Sequence, residues 1–381
     1  MIRRALRGTG SALVGIVLLA ACTQVSGEES FTTVAGGEQH TCALTEDGDI
    51  WCWGANRYGQ LGNGTTSVSS GPTKVRARVS FRAVSAGKTH TCAIDIAGGA
   101  WCWGGNFVGK LGTGDTTSSP LPVKVVGLPG PVELIDVTAD RSCATTAKGL
   151  WCWGDNTQGV LGIDDARPLL QATRIATGDV TALAVSPGRG CLLASIVLCS
   201  GIDTNKDLGG EGSYRGVRID DLPPDVVELF AGQFLLCART RSEQVYCWGS
   251  MTWSLQPDGT WLENIWLPAT RLEGARAEQM SMMDSTVCTL LDGNVTCRGA
   301  RPGGDWIRIG GAGIPDFTSD SLGEPWNVEF PPGVTAIGGG AAHLCAVNAG
   351  DVWCFGRNDA GQLGDGTTLE RPAPIRVPIP G

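Results

Sequence analysis

Short apolar segments alternate with glycine-rich turns along most of the chain. One unit begins at Val34 and reads VAGGEQHTCALTEDGDIWCWGANRYGQLGNGTT, and similar units begin at Val84 and Ile337. Each unit predicts a short strand ending in glycine, a strand around His-Thr-Cys-Ala, a tight turn, a strand Trp-Cys-Trp-Gly and a glycine-rich loop. Proline-bounded apolar stretches such as Pro122–Val126 and Pro374–Val377 predict a fourth, outer strand. No stretch longer than a turn or two has helical spacing, so the pattern predicts an all-β chain.

The spacing of the cysteines gives the number of these units. Fourteen of the fifteen cysteines form close pairs, and the first members of successive pairs lie 50, 51, 48, 46, 51 and 57 residues apart. A period near 50 residues indicates a repeat architecture. Seven repeats of four short strands predict a seven-bladed β-propeller. The pairs are Cys42 and Cys52, Cys92 and Cys102, Cys143 and Cys152, Cys191 and Cys199, Cys237 and Cys247, Cys288 and Cys297, and Cys345 and Cys354.

The geometry of a hairpin makes each pair a candidate disulfide. In repeat 1 a turn at Asp47 and Gly48 places Cys42 directly opposite Cys52, where Cα atoms lie about 4.5–5.5 Å apart. That distance suits a disulfide bond. Zinc sites prefer cysteines two to four residues apart with supporting histidines, and reduced thiols are the other alternative. We expect seven disulfides within repeats, each closing about ten residues and adding at most about 2–3 kcal/mol of stability.

The amino terminus has the pattern of an export signal. Three arginines precede an uncharged apolar run over residues 11–21, which is too short to span a bilayer because spanning takes about 20 residues. The run ends in Leu-Ala-Ala-Cys at Cys22, which resembles the lipobox of bacterial lipoproteins. That resemblance implies a signal peptide over 1–21, an acylated Cys22 as first mature residue, a linker over 22–30 and one propeller domain over 31–381. The alternative is a plain signal peptide followed by an unmodified cysteine.

Composition and charge narrow the class of partner. The chain has 29 basic and 38 acidic residues, a net charge of −9 and a pI of about 4.9. Removal of the signal peptide takes away three arginines and no acid, which gives 26 − 38 = −12. Such a surface is a poor match for nucleic acid or acidic lipid head groups. We therefore expect contact with the membrane through the lipid anchor only. Thr23, in the position where aspartate tends to retain Gram-negative lipoproteins at the inner membrane, favours the outer membrane.

The repeats resemble a known family. The pattern Gly-x-x-His-Thr-Cys-Ala-Leu, followed by Trp-Cys-Trp-Gly-x-Asn-x-x-Gly-Gln-Leu-Gly, is similar to the regulator of chromosome condensation repeat. The pattern is strong in repeats 1, 2, 3 and 7 and fades in repeats 4, 5 and 6. The resemblance implies a seven-bladed propeller, in agreement with the seven cysteine pairs. The family's eukaryotic founder exchanges nucleotide on a small GTPase and docks on chromatin. Neither activity is expected here, because no stretch matches the founder's GTPase-contacting wedge and because an exported acidic protein is unsuited to both.

Catalytic and metal-binding chemistry has little support in the sequence. No P-loop, HExxH or GxSxG motif occurs. The segment Asp258–Trp261 resembles part of an Asp-box, a folding device of sialidase propellers. The loops 63–66 and 365–368 offer oxygen ligands for calcium but lack a carboxylate-rich set. We expect no catalytic residue, no metal and no cofactor. The three histidines each stand two residues before a cysteine, which predicts one repeated structural role; they are His40, His90 and His343.

Five tryptophans stand apart from the other eight of the thirteen, which occupy the repeated Trp-Cys-Trp-Gly position. They lie in Ser250–Ala275 and Arg301–Pro332, the segments that replace the Asn-x-x-Gly-Gln-Leu-Gly loop in repeats 5 and 6. Loops on a rigid scaffold concentrate binding residues, and tryptophan is enriched in interface hot spots. The alternative is that these tryptophans pack the enlarged loops onto their own blades. They are Trp253, Trp261, Trp266, Trp306 and Trp326, of which we predict Trp253, Trp261, Trp306 and Trp326 as anchors of a partner-binding surface.

Three classes of function remain open. The first is a monomeric, lipid-anchored scaffold that binds an envelope protein or a glycan and performs no chemistry. The second is a proteinaceous inhibitor, because some secreted bacterial propellers of this repeat family block β-lactamases with loops on one face. The third is a glycosidase or lyase, which carboxylates converging at the axial channel would favour. The aromatic segments of repeats 5 and 6 favour the first class.

Overall fold

Seven blades make up the part of the chain that the structure describes. The computed structural model describes residues 29–157, 161, 163, 166–185, 189–201, 217–232, 235–251, 254–255, 261–262, 265–283, 286–299 and 324–380. Within these residues thirty strands form seven four-stranded antiparallel sheets and one two-stranded sheet, and no α-helix is found there. The predicted all-β, seven-bladed propeller with four strands per blade is therefore confirmed.

The first three blades follow the repeat pattern closely. Blade 1 contains β1 (Phe31–Gly36), β2 (His40–Thr45), β3 (Ile50–Gly54) and β4 (Ser69–Lys74). Blade 2 contains β5 (Phe81–Ala86), β6 (His90–Asp95), β7 (Ala100–Gly104) and β8 (Ser119–Lys124). Blade 3 contains β9 (Val132–Val137), β10 (Arg141–Thr146), β11 (Gly149–Gly154) and β12 (Leu169–Ala176).

The last four blades vary more in strand length. Blade 4 contains β13 (Ala182–Val185), β14 (Arg189–Leu193), β15 (Val197–Gly201) and β16 (Val217–Arg218), and blade 5 contains β17 (Val226–Ala231), β18 (Leu235–Thr240), β19 (Gln244–Met251) and β22 (Ile265–Arg276). Blade 6 contains β23 (Gln279–Met283), β24 (Thr286–Leu291), β25 (Asn294–Arg298) and β26 (Trp326–Val328). Blade 7 contains β27 (Val334–Gly339), β28 (His343–Asn348), β29 (Asp351–Gly356) and β30 (Arg371–Arg376). The two-stranded sheet is β20 (Ser254–Leu255) with β21 (Trp261–Leu262).

The hairpin of the second and third strands sets the cysteine register of every blade. In blade 1 the turn contains Gly48 at φ 84°, a conformation that glycine adopts readily. The resulting register places Cys42 opposite Cys52, and the two cysteines of each other blade are directly opposed in the same way.

Each opposed pair is joined by a disulfide bond within its own blade. The Cα atoms of every pair lie 4.1 Å apart, and no bond connects one blade to another among the seven. The structure therefore has the pairing that the hairpin geometry predicts. The bonded pairs, in blade order, are Cys42 with Cys52, Cys92 with Cys102, Cys143 with Cys152, Cys191 with Cys199, Cys237 with Cys247, Cys288 with Cys297, and Cys345 with Cys354.

The hydrophobic core lies between neighbouring blades, in interfaces that we call seams. Trp53 of blade 1 shares a core cluster with Val347 and Leu363 of blade 7. Trp103 of blade 2 shares a cluster with Leu61 of blade 1. Both indole rings are completely buried. A tryptophan buries about 150–250 Å², which at about 25 cal/mol per Å² corresponds to roughly 4–6 kcal/mol of transfer free energy. The seams therefore supply much of the stabilisation.

The first and last blades close the ring without exchanging a strand. The sheets of blades 1 and 7 each consist of four consecutive strands, β1–β4 and β27–β30. Backbone bonds link the two blades, from Phe31 N to Gly350 O at 2.9 Å and from Ala341 N to Gly37 O at 3.3 Å. The ring is thus held by a seam of the same kind as those between successive blades.

Candidate functional site

The three histidines make one contact that recurs between neighbouring blades. Each is fully buried at the start of a second strand. Each Nε2 atom meets the side-chain hydroxyl of the next blade around the ring. The pairs are His40 with Thr91 at 2.9 Å, His90 with Ser142 at 2.9 Å and His343 with Thr41 at 2.7 Å.

The hydroxyl groups determine which histidine nitrogen carries the proton. Thr91 Oγ1 donates its hydrogen to Gln60 O at 2.9 Å, and Thr41 and Ser142 donate to equivalent carbonyl groups. Since a hydroxyl has one hydrogen, it accepts from the histidine, whose Nε2 is therefore protonated. The Nδ1 atoms of the histidines have no hydrogen-bond partner among the described residues. The contact is a directed relay from imidazole to hydroxyl to carbonyl, and we call it the seam relay.

Burial keeps the histidines neutral. It lowers the pKa of His343 from 6.5 to about 4 and, together with the charge of His343, the pKa of His40 to about 3. Burial and the nearby charge of Lys110 bring the pKa of His90 well below its usual value. Neutral imidazoles whose Nε2 protons are committed to a neighbouring blade brace the seams. They are poorly placed for proton transfer at neutral pH.

The repeated tryptophan joins the same relay. The second tryptophan of Trp-Cys-Trp-Gly donates from Nε1 to the carbonyl that the hydroxyl also reaches, with N–O distances of 2.9 Å. One carbonyl in each of blades 7, 1 and 2 therefore accepts two hydrogen bonds from the next blade. The donor and acceptor pairs are Trp53 to Gln362, Trp103 to Gln60 and Trp153 to Lys110.

Buried charge is added to the relay at the seam of blades 2 and 3, and it takes the place of the histidine in blade 3. Arg141 takes the histidine position, is 3% exposed and pairs with Asp155 at 2.9 Å. Lys110 takes the glutamine position, is 1% exposed and bonds Asp140 at 2.7 Å and Thr89 at 2.6 Å. Sequence reasoning missed these cations, although a charged residue at an otherwise uncharged repeat position is a readable signal. Because a buried charge needs its partners, we assign Arg141 and Lys110 a structural role in which their charged groups are already bonded within the protein.

An acidic group on an innermost strand gives no support to a glycosidase. Asp136 of β9 accepts hydrogen bonds from Ser85 of β5 and from the Val185 amide of β13. Burial raises its pKa to about 6, against the opposing effect of these bonds. Glycosidases generally use two carboxylates that flank the bond. At the corresponding position, opposite the first cysteine, the other six blades carry neutral residues: Ala35, Ser85, Ala184, Phe230, Ser281 and Gly338.

An exposed aromatic pair lies on blades 1 and 2. Tyr58 and Phe107 meet edge to face with ring centroids 4.8 Å apart. Phe107 is 54% exposed, and Arg57 lies 5.6 Å from the centre of the Tyr58 ring. Both rings belong to the loop after the third strand. This patch escaped sequence reasoning because each aromatic is a single residue within a regular repeat.

The four tryptophans predicted to anchor a partner differ in their location. Trp253 and Trp306 lie outside the described residues. Trp261 is in β21, within the two-stranded sheet. Trp326 is in β26 and half-buried, and its ring meets Phe355 of blade 7 with centroids 6.3 Å apart. Of the four, Trp326 thus contributes to packing at the seam of blades 6 and 7.

In blade 5 the third and fourth strands of the sheet, β19 and β22, continue past the end of the second strand. The second strand of the blade pairs with β19 only as far as Gly249. β19 runs on to Met251 and pairs there with the beginning of β22, Ser250 opposite Trp266 and Met251 opposite Ile265. The β20–β21 sheet lies between them in sequence. We call the described residues 250–251, 254–255, 261–262 and 265–266 the blade 5 arm.

Some of the remaining sequence predictions concern residues outside the part of the chain that the structure describes. Cys22 and the Asp-box residues before Trp261 lie beyond the described residues. Among those described, no group of three or more His, Cys, Asp or Glu residues is arranged to hold a metal ion. In the loop at 365–368 both carboxylate oxygens of Asp365 accept internal hydrogen bonds, from Thr367 and from Arg371. The described residues also contain no helix with the length and apolar character needed to cross a membrane.

Comparison with known proteins gives short matches in sequence and long matches in fold. Over 43 residues the chain is 49% identical to the human E3 ubiquitin-protein ligase HERC2, and over 42 residues it is 50% identical to the Arabidopsis thaliana ultraviolet-B receptor UVR8. Each match covers 11% of this chain, but 1% and 10% of those proteins. Each of these relatives therefore shares about one repeat with the chain, and such a match does not transfer the relative's activity to this protein.

Solved structures match over most of the chain. Prp20p from Saccharomyces cerevisiae, reported with its binding to Gsp1p and histones, has a TM-score of 0.70 at 19% identity, covering 88% of this chain and 87% of its own. Human WBSCR16 has a TM-score of 0.56 at 18% identity, covering 93% and 83%. At these identities the likeness concerns the fold.

Profiles of the repeat identify several blades directly. The regulator of chromosome condensation (RCC1) repeat matches residues 47–94, 97–144 and 349–381, and a second profile of the same description matches 31–60 and 81–110. These are the repeats in which the sequence pattern is strongest. The chain is therefore a seven-bladed β-propeller that carries regulator of chromosome condensation repeats.

Proposed function

We propose that this protein is a lipid-anchored, non-catalytic scaffold of the cell envelope that binds a protein or a glycan through loops of blades 5 and 6. The observation that carries the proposal is the blade 5 arm. β19 and β22 contain 8 and 12 residues, whereas the corresponding strands of blade 1, β3 and β4, contain 5 and 6. The four-stranded sheet beneath the arm stays complete.

An extended strand pair on an intact blade suits recognition. The blade sheet and its disulfide between Cys237 and Cys247 fix the base of the arm. The base therefore loses little conformational entropy when a partner binds. The arm contributes Trp261 and Trp266, and Trp253 is close to them in sequence. A tryptophan buried at the centre of an interface can contribute about 2 kcal/mol or more, roughly a thirtyfold change in affinity. We place the binding surface on Trp253, Trp261 and Trp306, since Trp326 already packs in a seam.

The anchoring part of the proposal rests on the amino terminus and the disulfides. Seven disulfide bonds indicate an oxidising compartment such as the periplasm or the cell exterior. The lipobox ending in Cys22 supplies the means of attachment, and two or more acyl chains hold a protein on a membrane stably. Mass spectrometry of the mature amino terminus tests this: we expect an acylated Cys22. An unmodified terminus would remove the anchor, leaving the binding proposal to be judged separately.

Capture from detergent-solubilised envelopes tests the binding proposal. Tagged protein should retain one specific protein or glycan, and a Trp253→Ala/Trp261→Ala variant should lose it at an unchanged melting temperature. The matched control is Phe107→Ala, which removes an exposed aromatic from blade 2 and should retain the partner. Equal capture by all three proteins would place the site elsewhere. Loss of capture in Phe107→Ala alone would move it to blades 1 and 2.

A further inference from the structure

A cleft opens at the seam between blades 6 and 7. Its volume is about 570 Å³, within the range of about 300–1,000 Å³ that small-molecule sites occupy. Blade 6 supplies its hairpin turn at Asn294 and the chain that follows β26, and blade 7 supplies Trp353. A bond from Phe330 N to Val328 O, 2.9 Å long, turns the chain after β26 and places Phe330 in the wall.

Trp353 occupies a repeat position that is filled by packing in other blades. Its equivalents Trp51, Trp101 and Trp151 pack against the core clusters of their own seams. Trp101 also donates from Nε1 to Asp95 Oδ2 at 2.8 Å. Trp353 is half-buried and lines the cleft instead. Trp51, Trp101 and Trp151 are half-buried as well, so Trp353 differs from them in lining the cleft and not in its exposure.

Hydrogen-bond donors and acceptors line the cleft together with Trp353 and Phe330. Asn294 donates from Nδ2 to Asp292 O at 3.0 Å, which leaves its Oδ1 as an acceptor. Asn327 Oδ1 accepts from Thr296 at 3.0 Å, which leaves its Nδ2 as a donor. Glu329 is exposed and adds two acceptor oxygens. No lysine or arginine is among the described residues that line the cleft.

From this arrangement we propose that the cleft binds a neutral saccharide. The apolar C–H face of a sugar ring matches the faces of Trp353 and Phe330, and its hydroxyl groups can both donate and accept. An anionic ligand finds no cation among the described lining residues and meets Glu329. A quaternary ammonium ligand would suit an aromatic ring beside a carboxylate, but it would leave both carboxamides without partners, at a cost for each polar group that it desolvates.

The test uses the full-length protein and an array of neutral mono- and disaccharides that includes glucose, galactose, mannose and N-acetylglucosamine, with choline chloride and sodium sulfate as comparison probes. Binding is followed by ligand-observed NMR. At least one sugar should bind with a Kd of about 1 mM or tighter. Trp353→Ala and Asn327→Ala should each weaken it at least tenfold, and Tyr58→Ala should leave it unchanged.

The design separates loss of binding from loss of folding. Asn327 is exposed, so its variant keeps the fold even if Trp353→Ala does not. The proposal is overturned if no neutral sugar of the array binds, if choline or sulfate binds in preference, or if the Asn327→Ala protein binds sugar as the parent does. The residues that line the cleft include none of the blade 5 arm and none of Trp253, Trp261 and Trp306, so the capture of an envelope partner through those tryptophans is tested separately.

Discussion

His343 of the last blade donates from Nε2 to Thr41 Oγ1 of the first blade over 2.7 Å, although 302 residues separate them in sequence. The same contact joins blades 1 and 2 and blades 2 and 3. Closure of the ring therefore uses the chemistry of an ordinary seam. Blades 1 and 2 each supply a histidine to one neighbour and a hydroxyl to the other, whereas blade 7 supplies only the histidine and blade 3 only the hydroxyl.

The seam relay predicts unequal effects of two substitutions at Thr91. Thr91→Val removes the acceptor of His40 Nε2 and one donor to Gln60 O. A buried donor left without a partner costs about 1–3 kcal/mol. Thr91→Ser keeps the hydroxyl, as Ser142 does naturally in blade 3, and should cost less. Urea unfolding at neutral pH measures both; equal stability of the two variants would contradict the relay.

The buried histidines predict loss of stability in mild acid. Between pH 6.5 and about 4 the unfolded chain protonates its histidines while folded His40, His90 and His343 stay neutral. The free energy of unfolding therefore falls as the pH falls, by about 1.4 kcal/mol per pH unit for each histidine. Asp136, whose folded pKa is raised to about 6, takes up its proton earlier in the folded state and offsets about one histidine.

For these four groups together we expect the free energy of unfolding to fall by roughly 1–3 kcal/mol per pH unit on acidification around pH ~5. Urea unfolding at several pH values from neutral to mildly acidic gives the slope. His90→Gln, which can still donate to Ser142, should reduce it by about half. A stability profile that is flat over this window, or a slope that His90→Gln leaves unchanged, would show that the histidines are not held neutral.

Glycine is required where a repeat loop touches the next blade. At Gly62, φ is 67° and an added Cβ would lie 2.7 Å from Trp103 Nε1. Gly62→Ala combines a left-handed backbone, at about 1–2 kcal/mol, with overpacking, at about 1–3 kcal/mol. Gly71→Ala is the control, because Gly71 lies in β4 with no atom within 4 Å of the added Cβ. Thermal unfolding should separate them clearly; similar melting temperatures would refute this packing.

The disulfides should act as local staples. Peptide mapping without reduction should find seven bridges, all within repeats, as in the structure. Cys237→Ala/Cys247→Ala removes the bridge beneath the blade 5 arm and should lower the free energy of unfolding by at most about 2–3 kcal/mol, because the closed loop is short. Bridges between repeats, or complete unfolding on loss of this one, would show that the staples are not local.

The periodic features of the fold are readable from sequence because they recur. The cysteine period gives seven blades, and a hairpin turn at Gly48 gives the pairing of Cys42 with Cys52. The shared position of the histidines predicts one role, but the hydroxyl partner of His40 lies 51 residues away and that of His343 at the other end of the chain. Such contacts depend on how blades stack, which no local pattern encodes.

The individual features are harder to predict. Trp353 repeats the sequence context of Trp51, yet it lines a cleft because of how blade 6 turns after Val328. Trp326 stands in an irregular segment, yet it packs against Phe355. In both cases the neighbouring blade decides whether an aromatic ring is covered. Sequence therefore indicates where the aromatic residues are concentrated better than it indicates which of them face solvent.

Photo-crosslinking from the blade 5 arm tests the central claim most directly. A photoreactive amino acid in place of Leu262 of β21 is compared with one in place of Ile96, which is 72% exposed on blade 2. In intact envelopes we expect one dominant adduct from position 262 and none of that mass from position 96. The same adducts from both positions, or a specific adduct from position 96 alone, would contradict a binding surface on the arm.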